Sequence, residues 1–354
     1  MARPLLVGYY GEHNLGDDAL LEVLLSQLPA AAQPTVTARD QAEVRARFGV
    51  ACVDRTQLRQ VLAALGPATA LVLGGGSLLQ DSTSFRSLVY YAALILAARL
   101  QGKPVLLWAQ GLGPLRRRRS RLLVRALLAQ ARACSWRDPD SARLARQLGW
   151  QPTASQLAAV AAEPGVGSDP VWAFPRQPWH GQGGPIVLCL RPTAQLQGEA
   201  WRPWLAAIDQ LAPEREVLWL PFHAHQDRGL LAGLQRQGLL SPALAARSRE
   251  LQPACPQEAM AVCASGGLVL AMRLHGLILA AAGGAPVAAL SYDPKVKAAA
   301  NALGCPVHDL AAPAPVSELL GAWRACLDRP PPQDRLMELQ HAVAVHRALL
   351  ASQA

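Results

Sequence analysis

The sequence predicts an α/β fold made of two doubly wound, Rossmann-like halves. Short apolar runs alternate with longer amphipathic stretches along the chain, which is typical of βαβ units in a parallel sheet. The chain has 354 residues, more than one core usually contains, and a segment rich in Gly and Pro interrupts it near the middle. Together these observations indicate two sheets, one on each side of a linker.

The first half contains five predicted strands, each a short apolar run. They are Leu5–Gly8, Thr35–Ala38, Ala70–Leu73, Val105–Gln110 and Ala133–Trp136. Longer stretches with helical periodicity predict six helices between and after these strands. The helices are Asp17–Leu28, Gln41–Phe48, Gln57–Ala64, Leu88–Gln101, Arg119–Ala131 and Pro139–Leu148.

The segment Glu163–Pro185 is dense in Gly and Pro and is predicted to be a linker. The second half then repeats the alternation of strands and helices. Its predicted strands are Ile186–Leu190, Glu216–Leu220, Leu268–Ala271 and Val287–Leu290. Its predicted helices are Trp201–Leu211, Asp227–Gln237, Pro256–Ala264 and Leu274–Ala282, followed by a closing helix over Leu336–Ala351.

These elements predict a first domain over residues 1–165, a linker over 166–185 and a second domain over 186–330. The C-terminal helix within residues 331–354 is expected to cross back onto the first domain. Two doubly wound halves place a ligand in the cleft between the carboxyl ends of their strands. We therefore look for functional residues in the loops that follow the strands.

The composition narrows the class of protein. Hydrophobic residues make up 51% of the chain and charged residues 17%, which supports two cores and argues against disorder. The longest apolar stretch, Leu88–Leu100, is shorter than a membrane span of about 20 residues and contains Arg99. The N-terminus lacks the apolar region of a signal peptide. We expect a cytoplasmic protein.

The cysteine content and the net charge indicate which metals, ligands and surfaces the protein binds. The seven dispersed cysteines form no C-x-x-C motif, so we expect reduced thiols and neither disulfides nor a zinc site. The net charge of +9 indicates an anionic partner, such as a phosphorylated substrate or a membrane surface. No nucleic acid is expected, because aromatic residues are few and do not cluster with arginines. The basic stretch Arg116–Arg121 is interpreted as a solvated helix face, with peripheral contact to an anionic membrane as the alternative.

The opening loop, GYYGEHNLGDDAL (Gly8–Leu20), has glycines that fit neither G-x-G-x-x-G nor a P-loop. Asp17 and Asp18 begin the helix, where they would cap backbone N–H groups and disfavour a phosphate. A carboxylate accepts a proton from a sugar hydroxyl, so two aspartates beside Asn14 and His13 favour a polyhydroxy ligand. A plain N-cap after a glycine turn would explain one of the aspartates equally well.

Two more glycine-rich loops follow strands of the first half, LVLGGGSLLQD (Leu71–Asp81) and WAQGLGPL (Trp108–Leu115). Bare backbone N–H groups there allow a ligand to approach closely, although a tight turn alone would explain either loop. All three loops would face one cleft. The residues predicted to bind the sugar are Asn14, Gly16, Asp17, Asp18, Gly75, Gly76, Gln80, Asp81 and Gln110.

The second half carries cationic residues at the ends of its strands. Arg191 follows one strand, and Arg273 and His275 introduce an apolar helix after another. Burial of an unpaired arginine is costly and no acidic residue lies nearby in the sequence. An anionic ligand held by both arginines is therefore favoured over a structural ion pair. His275, beside a helix N-terminus, is a candidate proton donor.

The segment PFHAHQD (Pro221–Asp227) contains an H-x-H pair, which occurs in metal sites. No supporting set of acidic residues or histidines accompanies the pair, so we expect no metal ion here and no other cofactor. A loop that closes over the ligand is the favoured interpretation.

Taken together, these motifs resemble the polysaccharide pyruvyl transferase family, and its CsaB-like branch most closely. The matching segments run over nearly the whole chain and include GYYGEHNLGDDALL, LVLGGGSLLQD, WAQGLGPL, SWRDPDSARL, SDPVW, LRP, LPFHAHQD and MRLHGLILA. The resemblance implies a fold similar to the two-domain GT-B glycosyltransferases. It also implies phosphoenolpyruvate as the donor and a cyclic pyruvate ketal on a sugar as the product, with release of phosphate. The CsaB-like branch implies an N-acetylmannosamine-type sugar of a cell-wall polymer, and a lipid-linked acceptor would place the protein at the inner membrane face.

The resemblance also implies roles for individual residues. The R-L-H motif of the family falls on Arg273, Leu274 and His275, and its other donor-binding arginine falls on Arg191. Our hypothesis is that His275 donates the proton, that both arginines clamp the donor, and that Asp17 orients or deprotonates the acceptor hydroxyl. The opening loop departs from the family pattern at residues 12 and 13, which leaves the identity of the acceptor open.

Two other functions fit parts of the sequence. A GT-B glycosyltransferase would bind a nucleotide sugar and hold its ribose with an acidic residue. The segment Ser291–Ala298 offers only Asp293 for this role, and Asp293 would cap a helix equally well. A non-catalytic sugar-binding protein at the membrane would tolerate loss of Arg273 and His275.

Overall fold

A computed structural model describes residues 2–82, 84–154, 163–312 and 314–352 of the chain. The chain forms two compact units, each built around one six-stranded parallel sheet. The first unit comprises Met1–Glu12, Asp17–Ala173 and Leu339–Ala354, and the second comprises His13–Gly16 and Phe174–Glu338. The prediction of two doubly wound, Rossmann-like halves is confirmed.

The sheet of the first unit has the strand order β3-β2-β1-β4-β5-β6. The strands are β1 (Pro4–Tyr10), β2 (Thr35–Ala38), β3 (Ala51–Asp54), β4 (Ala70–Gly74), β5 (Val105–Gln110) and β6 (Ala133–Trp136). The helices are α1 (Leu15–Gln27), α2 (Gln41–Phe48), α3 (Leu58–Leu65), α4 (Phe85–Leu100), α5 (Arg118–Leu128) and α6 (Pro139–Gln147). Strand β1 pairs with β4, so that Leu5 lies opposite Leu71, and both strands are almost entirely buried because helices cover both faces.

The sheet of the second unit has the strand order β12-β11-β10-β7-β8-β9. The strands are β7 (Ile186–Cys189), β8 (Val217–Trp219), β9 (Ser248–Glu250), β10 (Leu268–Ala271), β11 (Val287–Ser291) and β12 (Val307–Asp309). The helices are α7 (Arg202–Leu211), α8 (Ala224–Asp227), α9 (Leu230–Arg236), α10 (Pro242–Ala246), α11 (Pro256–Ala264), α12 (Leu274–Ala282), α13 (Pro294–Leu303) and α14 (Val316–Cys326). The core includes the fully buried Trp204 and Trp323 on the packed helices α7 and α14.

The end of the chain differs from its prediction. The single closing helix predicted over Leu336–Ala351 is instead two helices, α15 (Gln333–Ala342) and α16 (Ala344–Ala351). Helix α16 packs against β5 and β6 in the first unit.

His346 anchors α16 within the core of the first unit. Its side chain is fully buried, with Nδ1 2.9 Å from Ser135 Oγ and Nε2 2.7 Å from the Ser168 carbonyl oxygen. Because a carbonyl oxygen only accepts, this network assigns the proton to Nε2, and the Ser135 hydroxyl donates to Nδ1. Burial lowers the pKa of His346 to about 4, so the imidazole is neutral at pH 7.

This buried histidine is expected to make folding sensitive to acid. An unfolded histidine takes up a proton near pH 6.5, whereas folded His346 does so only near pH 4, so stability is lost as the pH falls between these values. Between pH 7 and pH 5 the His346→Gln variant should lose about 2 kcal/mol less stability than the wild type. Urea unfolding at both pH values measures this difference. The matched variant His341→Gln, on the exposed surface of α15, should keep the wild-type pH dependence, and an equal dependence in all three proteins would contradict the assignment.

Candidate active site

The candidate donor site lies in the second unit, at the carboxyl ends of four neighbouring strands. Strands β11, β10, β7 and β8 are adjacent in the sheet, and each continues into a loop that carries a polar or charged side chain. These side chains are Tyr292 after β11, Arg273 after β10, Arg191 after β7 and His223 after β8. Because the strands are parallel, their carboxyl ends lie on the same side of the sheet, and residues distant in sequence lie close together there.

Arg273 has an acidic partner that the sequence analysis did not find. Its Nε donates to Asp227 Oδ2 at 2.9 Å, and its Nη2 donates to Asp227 Oδ1 and to Gln226 Oε1. The expectation that no carboxylate pairs with Arg273 is therefore wrong, because Asp227 lies 46 residues earlier but at the same sheet edge. Asp227 also accepts from the backbone N–H groups of Phe222 and His223, so it fixes the guanidinium rigidly. Nη1 of Arg273 makes no hydrogen bond within the described part of the chain.

Arg191 differs from Arg273 in having no carboxylate partner among the described residues. Its Nη1 donates to Tyr292 Oη at 3.1 Å, and its Nε donates to the Pro192 carbonyl oxygen at 3.3 Å. The guanidinium carbon also lies 5.2 Å from the centroid of the Tyr292 ring. Tyr292 therefore orients Arg191 without neutralising it, which leaves a positive charge for an anionic ligand.

His223 was not among the predicted site residues. Its side chain is 4% exposed, and neither ring nitrogen has a hydrogen-bond partner within the described residues. Burial, reinforced by the charge of Arg273 and opposed by that of Asp227, lowers the pKa of His223 to about 4. A buried, neutral imidazole with two unused polar atoms is costly without a ligand. The H-x-H motif that we discounted as a metal site was the signal for this residue.

The N-terminus of α12 adds a further feature that favours anions. Arg273 is the N-cap residue of this helix, and no side chain caps its first N–H groups. A helix N-terminus carries partial positive charge and binds carboxylates and phosphates. Leu274 and His275 lie in its first turn, so the predicted R-L-H residues stand together at a helix end that favours anions.

Four residues of the opening loop, His13–Gly16, belong to the second unit. The Leu15 N–H donates to the Phe222 carbonyl oxygen at 3.0 Å, and the Ala224 N–H donates to the His13 carbonyl oxygen at 2.9 Å. Asn14 and Gly16, which we assigned to the sugar, therefore cluster with the donor residues. Asn14 Oδ1 also accepts from the Gly16 N–H at 3.1 Å, so Asn14 caps the N-terminus of α1.

Gly16 is in direct contact with His275. A Cβ atom built on Gly16 would lie 2.0 Å from His275 Nδ1 and 2.8 Å from its Cβ atom. No side chain fits at this position unless the histidine moves. Gly16 therefore allows the backbone of the opening loop to pack directly on the imidazole.

In the first unit, Asp17 lies beside the glycine-rich loop after β4. A Cβ atom built on Gly76 would be 3.9 Å from Asp17 Oδ1. Gly75 and Gly76 have φ values of +68° and +72°, which L side chains rarely adopt. The predicted sugar-site residues Asp17, Gly75 and Gly76 are therefore close together.

The other predicted sugar-binding side chains have partners within the fold. Asp18 is 3% exposed and pairs with Arg47 at 3.1 Å, and burial raises the pKa of this carboxyl to about 7, although Arg47 lowers it. Asp81 accepts from the N–H groups of Arg116 and Arg117, each at 2.9 Å. Gln80 accepts from Ser82, and Gln110 is fully buried and donates to three carbonyl oxygens. These four residues shape the loops, and their contact with the sugar stays a prediction.

The sequence analysis also missed Arg137, which directly follows β6. Its side chain is buried, with Nη2 donating to Ser77 Oγ at 2.8 Å and Nη1 to Asp169 Oδ2 at 3.3 Å. A Cβ atom on Gly111 would lie 2.6 Å from this guanidinium. Arg137 therefore ties together both glycine-rich loops of the first unit, and its position immediately after a strand was the available signal.

Solved structures share this fold. UDP-GlcNAc 2-epimerase from Methanocaldococcus jannaschii has a TM-score of 0.62 at 10% identity, covering 98% of this chain and 99% of that one. A putative UDP-N-acetylglucosamine 2-epimerase from Listeria monocytogenes has a TM-score of 0.61 at 12% identity, covering 97% and 91%. The glycotransferase of kitacinnamycin has a TM-score of 0.54 at 15% identity, covering 99% and 97%. At these identities the similarity shows a GT-B-like fold and no more.

Comparison of sequences identifies the family, which comparison of folds does not. No curated protein matches the chain significantly. The sequence model of the family described as polysaccharide pyruvyl transferase matches residues 14–294, most of the chain, including the opening loop from Asn14 onward and the R-L-H motif. The chain therefore belongs to the polysaccharide pyruvyl transferase family of enzymes.

Proposed function

We propose that this enzyme transfers the pyruvyl group of phosphoenolpyruvate to two hydroxyls of one sugar, forming a cyclic ketal and releasing phosphate. The observation that carries the proposal is the anion site of the second unit. There the uncapped N-terminus of α12 is flanked by Arg273 and by Arg191, which has no carboxylate partner within the described residues. A donor with one carboxylate and one phosphate matches two arginines and a helix N-terminus.

The reaction requires one acid, one base and charge stabilisation. The methylene carbon of the donor takes a proton, and the adjacent carbon then bonds the oxygen of the first hydroxyl as that hydroxyl loses its proton. The carbon–oxygen bond to phosphate breaks with its electrons on the phosphate. The oxygen of the second hydroxyl then bonds the same carbon and closes the ring, and the proton of this hydroxyl passes to the released phosphate. Arg191 and Arg273 stabilise the departing charge, so the arrangement needs no metal ion.

We assign the proton donor to His275 and not to His223. A general acid must carry its proton near neutral pH, and a pKa of about 4 keeps free His223 neutral. His223 suits a different role, because its unused ring nitrogens offer hydrogen bonds to the bound donor. Asp17, beside Gly76, is the proposed residue that orients or deprotonates the acceptor hydroxyl.

For the acceptor we propose an N-acetylmannosamine-type sugar of a cell-wall or exopolysaccharide precursor. The support is the resemblance of the motifs to the CsaB-like branch. A nucleotide-sugar transferase remains the alternative because of the GT-B-like fold. One observation argues against a nucleotide-sugar transferase. Asp293, the residue considered for binding ribose, caps α13 instead, because its carboxylate accepts from the Lys295 N–H at 3.0 Å. The sequence analysis gave this cap as the alternative role of Asp293.

Donor binding can be tested without knowing the acceptor. Phosphoenolpyruvate at a hundredfold excess over its Kd should stabilise the protein by about 2.7 kcal/mol, measured as a rise in Tm, whereas UDP-GlcNAc should not. Arg191→Gln should lose this rise, because it removes the uncompensated charge. Asp17→Asn should keep it and yet lose turnover, since Asp17 is assigned to the acceptor. A rise with UDP-GlcNAc alone would establish the glycosyltransferase alternative, and no rise with either ligand would favour a non-catalytic protein.

A further inference from the structure

Three neighbouring helices of the first unit expose large apolar side chains to solvent. Seven large apolar side chains are exposed within the described residues, and five of them lie on α3, α4 and α5. The five are Leu58, Val89, Leu96, Leu100 and Leu122. Two are strongly exposed, with 90% of Leu100 and 68% of Leu122 accessible to water. Isolated exposed leucines need no explanation, but a concentration on adjacent helices marks an interaction surface.

These side chains share one face of the sheet. Helix α3 connects β3 to β4, α4 connects β4 to β5, and α5 connects β5 to β6, so all three connections run in the same direction across the sheet. Because connections between parallel strands are right-handed, the three helices lie on the same face of the sheet. The helices also pack against each other in that order, and the Arg119 guanidinium lies 4.2 Å from the centroid of the Phe85 ring. On α4, Arg86, Val89, Leu96 and Leu100 follow helical spacing and form one stripe.

The same three helices carry positive charge without any negative charge. Helices α3, α4 and α5 contain no acidic residue. They contain seven arginines, which are Arg59, Arg86, Arg99, Arg118, Arg119, Arg121 and Arg125. No Asp or Glu occurs in the sequence between Asp81 and Asp138. All seven arginines are exposed. This layer, α3 to α5 with its exposed leucines and arginines, is the basic apolar face.

We propose that the basic apolar face docks on the surface of an anionic lipid bilayer. Leucines that enter the interface while arginines bind lipid phosphates are the chemistry of peripheral membrane helices. A second copy of the chain fits poorly, because a two-fold contact would bring arginines against arginines. The proposed contact is peripheral. In the described part of the chain, no helix is long and apolar enough to cross a bilayer. Helices α4 and α5 begin at the carboxyl ends of β4 and β5, which carry the glycine-rich loops. With the function proposed above and a lipid-linked acceptor, docking would bring the sugar towards Asp17.

Vesicle flotation with the full chain tests the proposal without any activity measurement. The wild type should float with phosphatidylglycerol-containing vesicles at low salt. With pure phosphatidylcholine vesicles it should stay in the bottom fraction of the gradient, unbound. Replacing Arg118, Arg121 and Arg125 by Gln should weaken binding roughly a hundredfold. The matched variant with Gln at Arg176, Arg236 and Arg329, exposed arginines of the second unit, makes the same change in net charge and should bind like the wild type.

A second variant separates the apolar contribution from simple attraction of charges. Leu96→Ser together with Leu122→Ser leaves every arginine in place and should remove the binding that the wild type retains at 0.5 M salt, because salt screens only the charges. Circular dichroism confirms that the variants are folded. Absence of wild-type binding to anionic vesicles would overturn the proposal, as would equal binding by the two arginine variants. A wild type that binds an acidic protein or a nucleic acid but no vesicle would assign the face to that partner instead.

Discussion

Replacing Asp227 by Asn is expected to lower the free energy of unfolding by about 3–5 kcal/mol and to remove donor binding. The Asp227 side chain is fully buried and that of Arg273 is 13% exposed, so the substitution leaves a nearly buried guanidinium without its counter-charge. Asp227 also accepts from two backbone N–H groups, which hold the loop that carries His223. Urea unfolding and the Tm rise with phosphoenolpyruvate measure the two effects separately.

The chain offers a matched control for this substitution. Asp328 and Arg215 form another two-pronged ion pair in the second unit, at 2.6 and 3.0 Å, but beside Gly184 and Gly267 at the opposite edge of the sheet. Both partners are more exposed than Asp227. The Asp328→Asn variant should therefore lose less stability and keep donor binding. Equal loss of donor binding in both variants would mean that general destabilisation, and not the position of Arg273, causes the effect.

A double substitution distinguishes the structural role of the pair from its role in binding. Arg273→Met alone leaves Asp227 buried without a counter-charge and should be as destabilising as Asp227→Asn. The double variant Asp227→Asn/Arg273→Met removes both charges and should recover most of the lost stability. It should nevertheless not bind phosphoenolpyruvate. Recovery of binding in the double variant would show that Arg273 only supports the fold.

The central strands could be predicted from the sequence, because a strand buried on both faces consists almost entirely of apolar residues. Runs such as Leu71–Leu73 are apolar throughout, and the loops that follow them necessarily meet at one edge. The strands that the sequence analysis missed are β3, β9 and β12, the outermost strands of their sheets. Each is three or four residues long, is partly exposed and contains polar residues, so it gives no long apolar run.

Part of the candidate site could be predicted residue by residue, but the pairing of its residues could not. Arg191, Arg273 and His275 stand directly after strands, where function is expected. Their partners depend on which strands become neighbours in the sheet. Asp227 follows β8 and Arg273 follows β10, and only the insertion of both strands on either side of β7 brings them together. The neutral state of His223 depends on burial by such distant segments, which local sequence does not reveal.

Gly16→Ala is expected to reduce turnover at least a hundredfold while leaving the protein folded. On helix propensity alone the substitution would be favourable, because alanine stabilises a helix by about 1 kcal/mol relative to glycine. In this position, however, the new Cβ atom would lie 2.0 Å from His275 Nδ1 and 2.6 Å from its Cγ. The imidazole must move, and His275, the proposed general acid, would then no longer reach the carbon of the donor.

Gly233→Ala is the matched control for this substitution. Gly233 also lies in a helix, α9 of the second unit, and a Cβ atom built on it would have no neighbouring atom within 4 Å. That variant should be slightly more stable than the wild type and equally active. Steady-state kinetics with a pyruvylatable sugar should therefore show a loss of kcat in Gly16→Ala alone. If Gly16→Ala keeps the wild-type kcat, the position of His275 does not limit the reaction, and the proton must come from another group.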